Sequence, residues 1–240
     1  MKKFAVFLLL IPLIISSAQN LDSLYTEFLQ VKGIKQYVRQ QISGETHHPI
    51  KCGFGIVSQV KSNYDKFSAI QKKVLTSLLQ RPATDTSFVS PKGWFRIHFS
   101  KTGYHAPGYD VNEAAKAADS SYNYEVNFLG YPPPLNDGTA GGDGLYDIYI
   151  QNLSDAYGYT EFDDPVTSDI YSVIDNDFGN YYHTHGIDGA RVTIAHEFHH
   201  AIQIGRYIYR SNDTFYYELT STAMEEFVYD SINDYYYYMD

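Results

Sequence analysis

The chain has one cysteine, Cys52, among its 240 residues, which excludes an intrachain disulfide. Basic residues are also scarce: 18 lysines and arginines stand against 28 acidic residues, for a formal net charge of −10. Loss of the first 18 residues would remove two lysines and no acid, giving −12 (−10 minus 2). This acidic balance argues against binding to nucleic acid or to anionic membranes, both of which attract basic surfaces.

Long apolar runs are missing except at the N-terminus. Lys2 and Lys3 precede an apolar run over residues 4–15, and Ser16-Ser17-Ala18 supplies the small residues of a cleavage site. This order predicts a signal peptide over residues 1–18, cleaved after Ala18. The run is too short to span a membrane comfortably, and no second stretch resembles a membrane span. We therefore expect a soluble secreted protein, extracellular or periplasmic, with no membrane span in the mature chain.

The remainder divides into two predicted units. Residues 19–90 form a helical N-terminal segment, either a propeptide or a subdomain, with helical spacing over 21–42 and 64–80 and a polar linker over 82–87. Residues 91–240 follow the order strand, helix, strand, strand, helix, helix. That order predicts an α+β domain with a small twisted mixed sheet packed on helices. The strand over 170–175 is a candidate sheet edge for pairing with an extended peptide.

The most informative stretch is His196-Glu197-Phe198-His199-His200, which fits H-E-x-x-H. Positions i and i+4 lie one above the other on a helix, so His196 and His200 can bind one metal ion. Glu197 lies beside that face and can reach an activated water as general base. The surrounding residues have helical spacing and contain no proline. A helix with surface histidines is the alternative interpretation.

A catalytic zinc site normally has three protein ligands and one open position. Glu218 is the predicted third ligand, 18 positions after His200 on a second helical stretch. Glu225 and Glu226 compete for that role, and Glu225 could instead support a ligand histidine through its other N–H. We favour Glu218 as ligand and Glu225 as support. A solvated helix face is the alternative for all three.

These residues resemble the gluzincin branch of the zincin metallopeptidases. The stretches "AHEFHHAIQ" and "ELTSTAMEE" are similar to the "AHEFFHAxQ" and "EATAxWMEE" helices of a group of secreted bacterial metalloproteases, over roughly residues 94–230. The resemblance implies a zincin-like fold, one Zn²⁺, and hydrolysis of a protein or peptide substrate. It also implies a lobe after the ligand helix, so we expect the sequence to be incomplete beyond Asp240. His199 and Ala223 depart from the pattern, and neither is assigned to the site.

Two further metal-related predictions concern other parts of the chain. Cys52 lies in the leading segment, and its thiolate could bind the zinc and hold the enzyme latent. A buried or unpaired thiol is the alternative. Ca²⁺ could use Asp137, Asp143 or Asp147, although a turn-forming loop is favoured for this stretch.

The sequence therefore predicts a secreted zinc metallopeptidase. The competing hypothesis is a non-catalytic secreted or cell-surface module with a structural or vestigial metal site. The substrate and the group that stabilises the oxyanion are not readable from the sequence.

Overall fold

The computed structural model describes residues 20–34, 48–162, 169–207, 209–210 and 213–239. Within these residues, six α-helices flank one five-stranded mixed sheet, so the predicted α+β class is confirmed. The predicted signal peptide and its cleavage after Ala18 lie outside the described residues, as does the end of the first predicted helix.

The sheet has parallel strands at its centre and antiparallel strands at its edges. Its strands are β1 (Thr86–Val89), β2 (Phe95–Phe99), β3 (Tyr146–Gln151), β4 (Gly158–Phe162) and β5 (Ile170–Asp175). Their spatial order is β1-β2-β3-β5-β4, in which β2, β3 and β5 run parallel. All six residues of β5 are buried, as expected for a strand covered on both faces.

Two predictions about the sheet were wrong. The strand over 170–175 is not an edge, because β4 pairs with its outer side and β3 with its inner side. The edge is β4, whose sequence Gly-Tyr-Thr-Glu-Phe has too few aliphatic residues to stand out as a strand. The predicted linker also ends too late, since Thr86 and Ser87 already belong to β1, which pairs with β2.

Helices cover both faces of the sheet. One face carries a helix over residues 20–31 (α1), α2 (Phe54–Ser62) and α3 (Ala69–Leu78). The other carries α4 (Val111–Tyr122), which continues as a π-helical turn, Asn123–Phe128, and α5 (Gly186–Arg206). The last helix, α6 (Thr214–Val228), packs beside α5. None of the helices in these described ranges is both long and apolar enough to cross a membrane.

The leading helices share a core with the sheet. Phe28 of α1, Val57 of α2 and Leu75 of α3 are fully buried in one cluster with Tyr149 and Tyr171. A buried ion pair adds to this contact. The Lys32 ammonium lies 2.7 Å from a carboxylate oxygen of Glu161 on β4, and both side chains are at most 5% exposed.

Candidate metal centre

α5 brings the two motif histidines to the inside of the protein. Apolar positions on several sides of the helix are buried, among them Val192, Ile194 and Phe198. His196 and His200 are therefore buried as well. Their Nε2 atoms lie 3.1 Å apart. This is the arrangement expected from one helical turn, with both rings directed to the same point.

Glu218 on α6 reaches the same point. One carboxylate oxygen lies 3.2 Å from His196 Nε2, and the other lies 3.6 Å from His200 Nε2. The Glu218 side chain is 31% exposed, so this side of the group faces solvent. The structure thus brings together the three residues that the sequence predicted as metal ligands.

Cys52 completes the arrangement, which we call the ligand group: Cys52, His196, His200 and Glu218. The Cys52 sulfur lies 3.5 Å from His200 Nε2, and all four potential ligand atoms lie within 4.8 Å of one another. Tetrahedral ligands at zinc distances lie roughly 3.3–3.8 Å apart. The distances from His200 Nε2 to His196, Glu218 and Cys52, 3.1, 3.6 and 3.5 Å, are close to that, so the ligand group could hold a metal ion.

Glu225 fixes the ring of His196. One of its carboxylate oxygens lies 2.7 Å from His196 Nδ1, and both groups are buried. An ionised carboxylate can only accept, so Nδ1 donates the proton. When a metal ion displaces the second proton of the ring, the lone pair that binds it is then on Nε2, which faces the ligand group. The other Glu225 oxygen pairs with the Lys51 ammonium at 2.8 Å.

Gln203 fixes the ring of His200 in the same way. The sequence analysis did not predict this role. Its amide nitrogen donates to Thr220 Oγ1 at 2.7 Å and to the Tyr217 carbonyl at 3.1 Å. The amide oxygen is thereby directed at His200 Nδ1, 2.8 Å away. His200 Nδ1 therefore donates, which leaves Nε2 free for a ligand bond. The i to i+3 spacing of His200 and Gln203 was the available signal.

Glu197 lies in the interior next to this group. The Thr160 hydroxyl on β4, a partner that the sequence did not indicate, lies 2.8 Å from one carboxylate oxygen and 2.8 Å from the Glu197 main-chain carbonyl, and its single proton is shared between these two acceptors. The other oxygen, Oε1, is buried, and the Cys52 thiol interacts with this carboxylate. Burial raises the pKa of Glu197, although the nearby imidazoles oppose the shift. This environment suits a carboxylate that accepts a proton.

The charges of the group favour a cation. Burial lowers the pKa of His196, but Glu218 and Glu225 outweigh it and raise that pKa to about 10. Burial raises the pKa of Glu218, yet the imidazoles of His200 and His196 hold it well below its usual range. The carboxylates thus require positive charge between them, which a divalent ion can supply in place of a proton.

His199, the departure from the family pattern, points elsewhere. Its Nδ1 lies 2.9 Å from a carboxylate oxygen of Glu125, and its ring meets Tyr131 edge to face. Burial lowers the pKa of His199 to about 3, so the ring is neutral. Both side chains are buried between α5 and the π-helical turn. His199 is therefore a packing residue.

The aspartates considered for calcium are engaged by arginines. Arg81 pairs with Asp137 at 2.7 Å and also with Asp147, while Arg96 pairs with Asp143. His98 takes the other oxygen of Asp147 at 2.7 Å. Oxygens committed to guanidinium groups are poor candidates for a cation site.

Comparisons with protein-family models, with curated proteins and with solved structures found no match to this chain. The functional interpretation therefore depends on the contacts of the ligand group and of Glu197.

Proposed function

We propose that the protein is a secreted zinc metallopeptidase with a zincin-like catalytic domain. The observation that carries this proposal is the convergence of His196 Nε2, His200 Nε2 and the Glu218 carboxylate from two neighbouring helices. Two histidines and one glutamate are a common ligand set of catalytic zinc. The contacts of Glu225 and Gln203 with the Nδ1 atoms of the two histidines support this proposal, since they direct both Nε2 lone pairs to one point.

The residues around this point suit peptide hydrolysis. A zinc ion held by the three ligands would supply the Lewis acidity that activates water and polarises the scissile carbonyl. Glu197 takes the proton from the attacking water and delivers it to the leaving amine. Thr160 holds one Glu197 oxygen in place, so Oε1 remains available for that proton.

Hydrolysis of casein at matched zinc content tests this proposal. The natural chain, Cys52→Ser and Cys52→Ser/Glu197→Gln are loaded with zinc, and their metal content is measured by elemental analysis. Cys52→Ser is included because the Cys52 thiol of the natural chain would occupy the metal position that the attacking water needs. We expect one zinc per chain in all three and hydrolysis that disappears with Glu197→Gln and with a chelator. Equal rates with and without the Glu197 carboxylate would contradict the mechanism.

A non-catalytic module with a structural metal is the second candidate. Cys52 favours it, because structural zinc sites use four protein ligands and leave no open position. Zinc that binds tightly to both Cys52-containing and Cys52→Ser chains, with no hydrolysis by either, would support this candidate.

A further inference from the structure

Residues 48–53, which we call the strap, lie along the edge of the sheet. The Ile50 amide donates to the Asp155 carbonyl at 2.7 Å, and the Tyr157 amide donates to the Ile50 carbonyl at 2.9 Å. The Gly53 amide then donates to the Gly158 carbonyl at 2.8 Å, at the start of β4. The strap thus uses backbone groups at the edge that an extended peptide substrate would need for pairing.

Side chains fix the strap on both sides of Cys52. The half-buried Lys51 ammonium pairs with Glu225, which holds His196, and with Asp234 near the C-terminal end of the described chain. The Phe54 ring stacks on the His200 ring with centroids 4.3 Å apart. At Gly53 there is no room for a side chain, since a Cβ would collide with Val31. These contacts hold the strap against the ligand group.

We propose that Cys52 is a fourth metal ligand and that the strap keeps the peptidase latent. This inference rests on the proposed function. Its sulfur lies 3.5 Å from His200 Nε2, within the same 4.8 Å group as the three other ligands. A thiol that binds zinc gives up its proton, so metal loading of this site releases one proton from Cys52.

Latency follows because Cys52, as a fourth ligand, would displace the metal-bound water. A catalytic zinc site keeps one position for water, and a fourth protein ligand removes it. Glu197, whose carboxylate lies beside this thiol, then has no metal-bound water from which to take a proton. The strap also covers the start of the β4 edge. One segment thus blocks both the attacking water and the path of the substrate backbone.

Cobalt substitution tests the ligand directly, without any activity measurement. Co²⁺ is loaded into the natural chain and into Cys52→Ser, and absorption is recorded in the visible and near-ultraviolet. We expect a thiolate-to-cobalt charge-transfer band in the natural chain that is lost in Cys52→Ser, while the visible bands of bound cobalt persist. Identical near-ultraviolet spectra would overturn the inference and leave the proposed function standing.

Hydrolysis then separates latency from a structural role. Cys52→Ser frees the fourth metal position and leaves the other contacts of the strap in place. If the thiolate occupies that position in about 90% of natural molecules, the variant should hydrolyse casein about tenfold faster. The double variant with Glu197→Gln controls for contaminating proteases and should be inactive. Equal, Glu197-dependent rates for the natural chain and Cys52→Ser would refute latency alone. Cobalt bound through Cys52, with no hydrolysis by either protein, would refute both latency and the peptidase proposal.

Discussion

Glu225 on α6 holds His196 on α5 through a buried 2.7 Å contact between a carboxylate oxygen and Nδ1. The bond joins two helices at the point where the ligands meet, and it decides which nitrogen of the ring faces the ligand group. The second Glu225 oxygen pairs with Lys51 of the strap. One carboxylate thus connects the proposed metal ligands with the segment that we propose to inhibit them.

Glu225→Gln should weaken zinc binding by about 10–100-fold, the usual cost of losing a carboxylate behind a ligand histidine. The amide can present its nitrogen to Nδ1, which favours the wrong tautomer of His196. Competition with a chelator of known affinity measures the effect. Glu226→Gln, in the same turn of α6, is the control and should bind zinc as the natural chain does. An equal loss in both variants would contradict the assigned role of Glu225.

Thr160→Val should lower kcat by about 10–100-fold, because a hydrogen bond to a charged group is worth about 1.5–3 kcal/mol. The change is made in the Cys52→Ser background, where the open position is free. Thr160 acts through Glu197 as a positioning residue, so KM and zinc content should stay the same. Thr160→Ser, which keeps the hydroxyl, should restore most of the rate. If Thr160→Ser does not restore kcat, the packing of the Thr160 methyl group, and not its hydroxyl, positions Glu197.

The helical motif allowed more of the site to be predicted than of the sheet. His196, Glu197, His200, Glu218 and Glu225 were placed from spacing and resemblance, because helical periodicity fixes which residues share a face. Gln203 was missed although it follows the same rule. Thr160 could not be found, since it lies on a strand 37 residues away and contacts Glu197 only through tertiary packing.

The strands were predicted less completely than the helices, because pairing between distant segments leaves little trace in a single sequence. β4 has a glycine and two polar residues among five, and β1 has four residues, so neither formed a clear apolar pattern. α2 was missed as well, since it follows Gly53 without a capping side chain. The position of Cys52 beside the predicted ligands depends on these elements, which is why its metal binding is only a hypothesis from the sequence.

The buried pair of Lys32 and Glu161 should tie the leading helix to the sheet. Glu161→Leu strands the Lys32 ammonium in the core and should reduce the free energy of unfolding by about 3–5 kcal/mol. Lys32→Met/Glu161→Leu should recover most of that loss, which urea titrations can measure. Glu113→Gln, which weakens surface pairs with Lys116 and Arg191, is the control and should change stability by less than about 1 kcal/mol. If the double variant is no more stable than Glu161→Leu, the loss does not come from the unpaired Lys32 ammonium.

Asp137 should make stability depend on pH. Burial and the neighbouring Asp147 raise its pKa to about 7, above the ordinary value of 3.8, despite the Arg81 guanidinium. Between those two values the folded chain binds a proton that the unfolded chain releases, so the free energy of unfolding falls as pH rises. Asp137→Asn should remove this slope between about pH 4 and 7, as followed by urea unfolding at each pH. Parallel pH profiles for the two proteins would refute the assignment.

Anomalous X-ray diffraction at the zinc edge tests the central claim most directly. Crystals of the zinc-loaded chain should give one peak about 2.0–2.3 Å from His196 Nε2, from His200 Nε2 and from a Glu218 oxygen. A peak that lies away from these three atoms, or none at full zinc loading, would contradict the account.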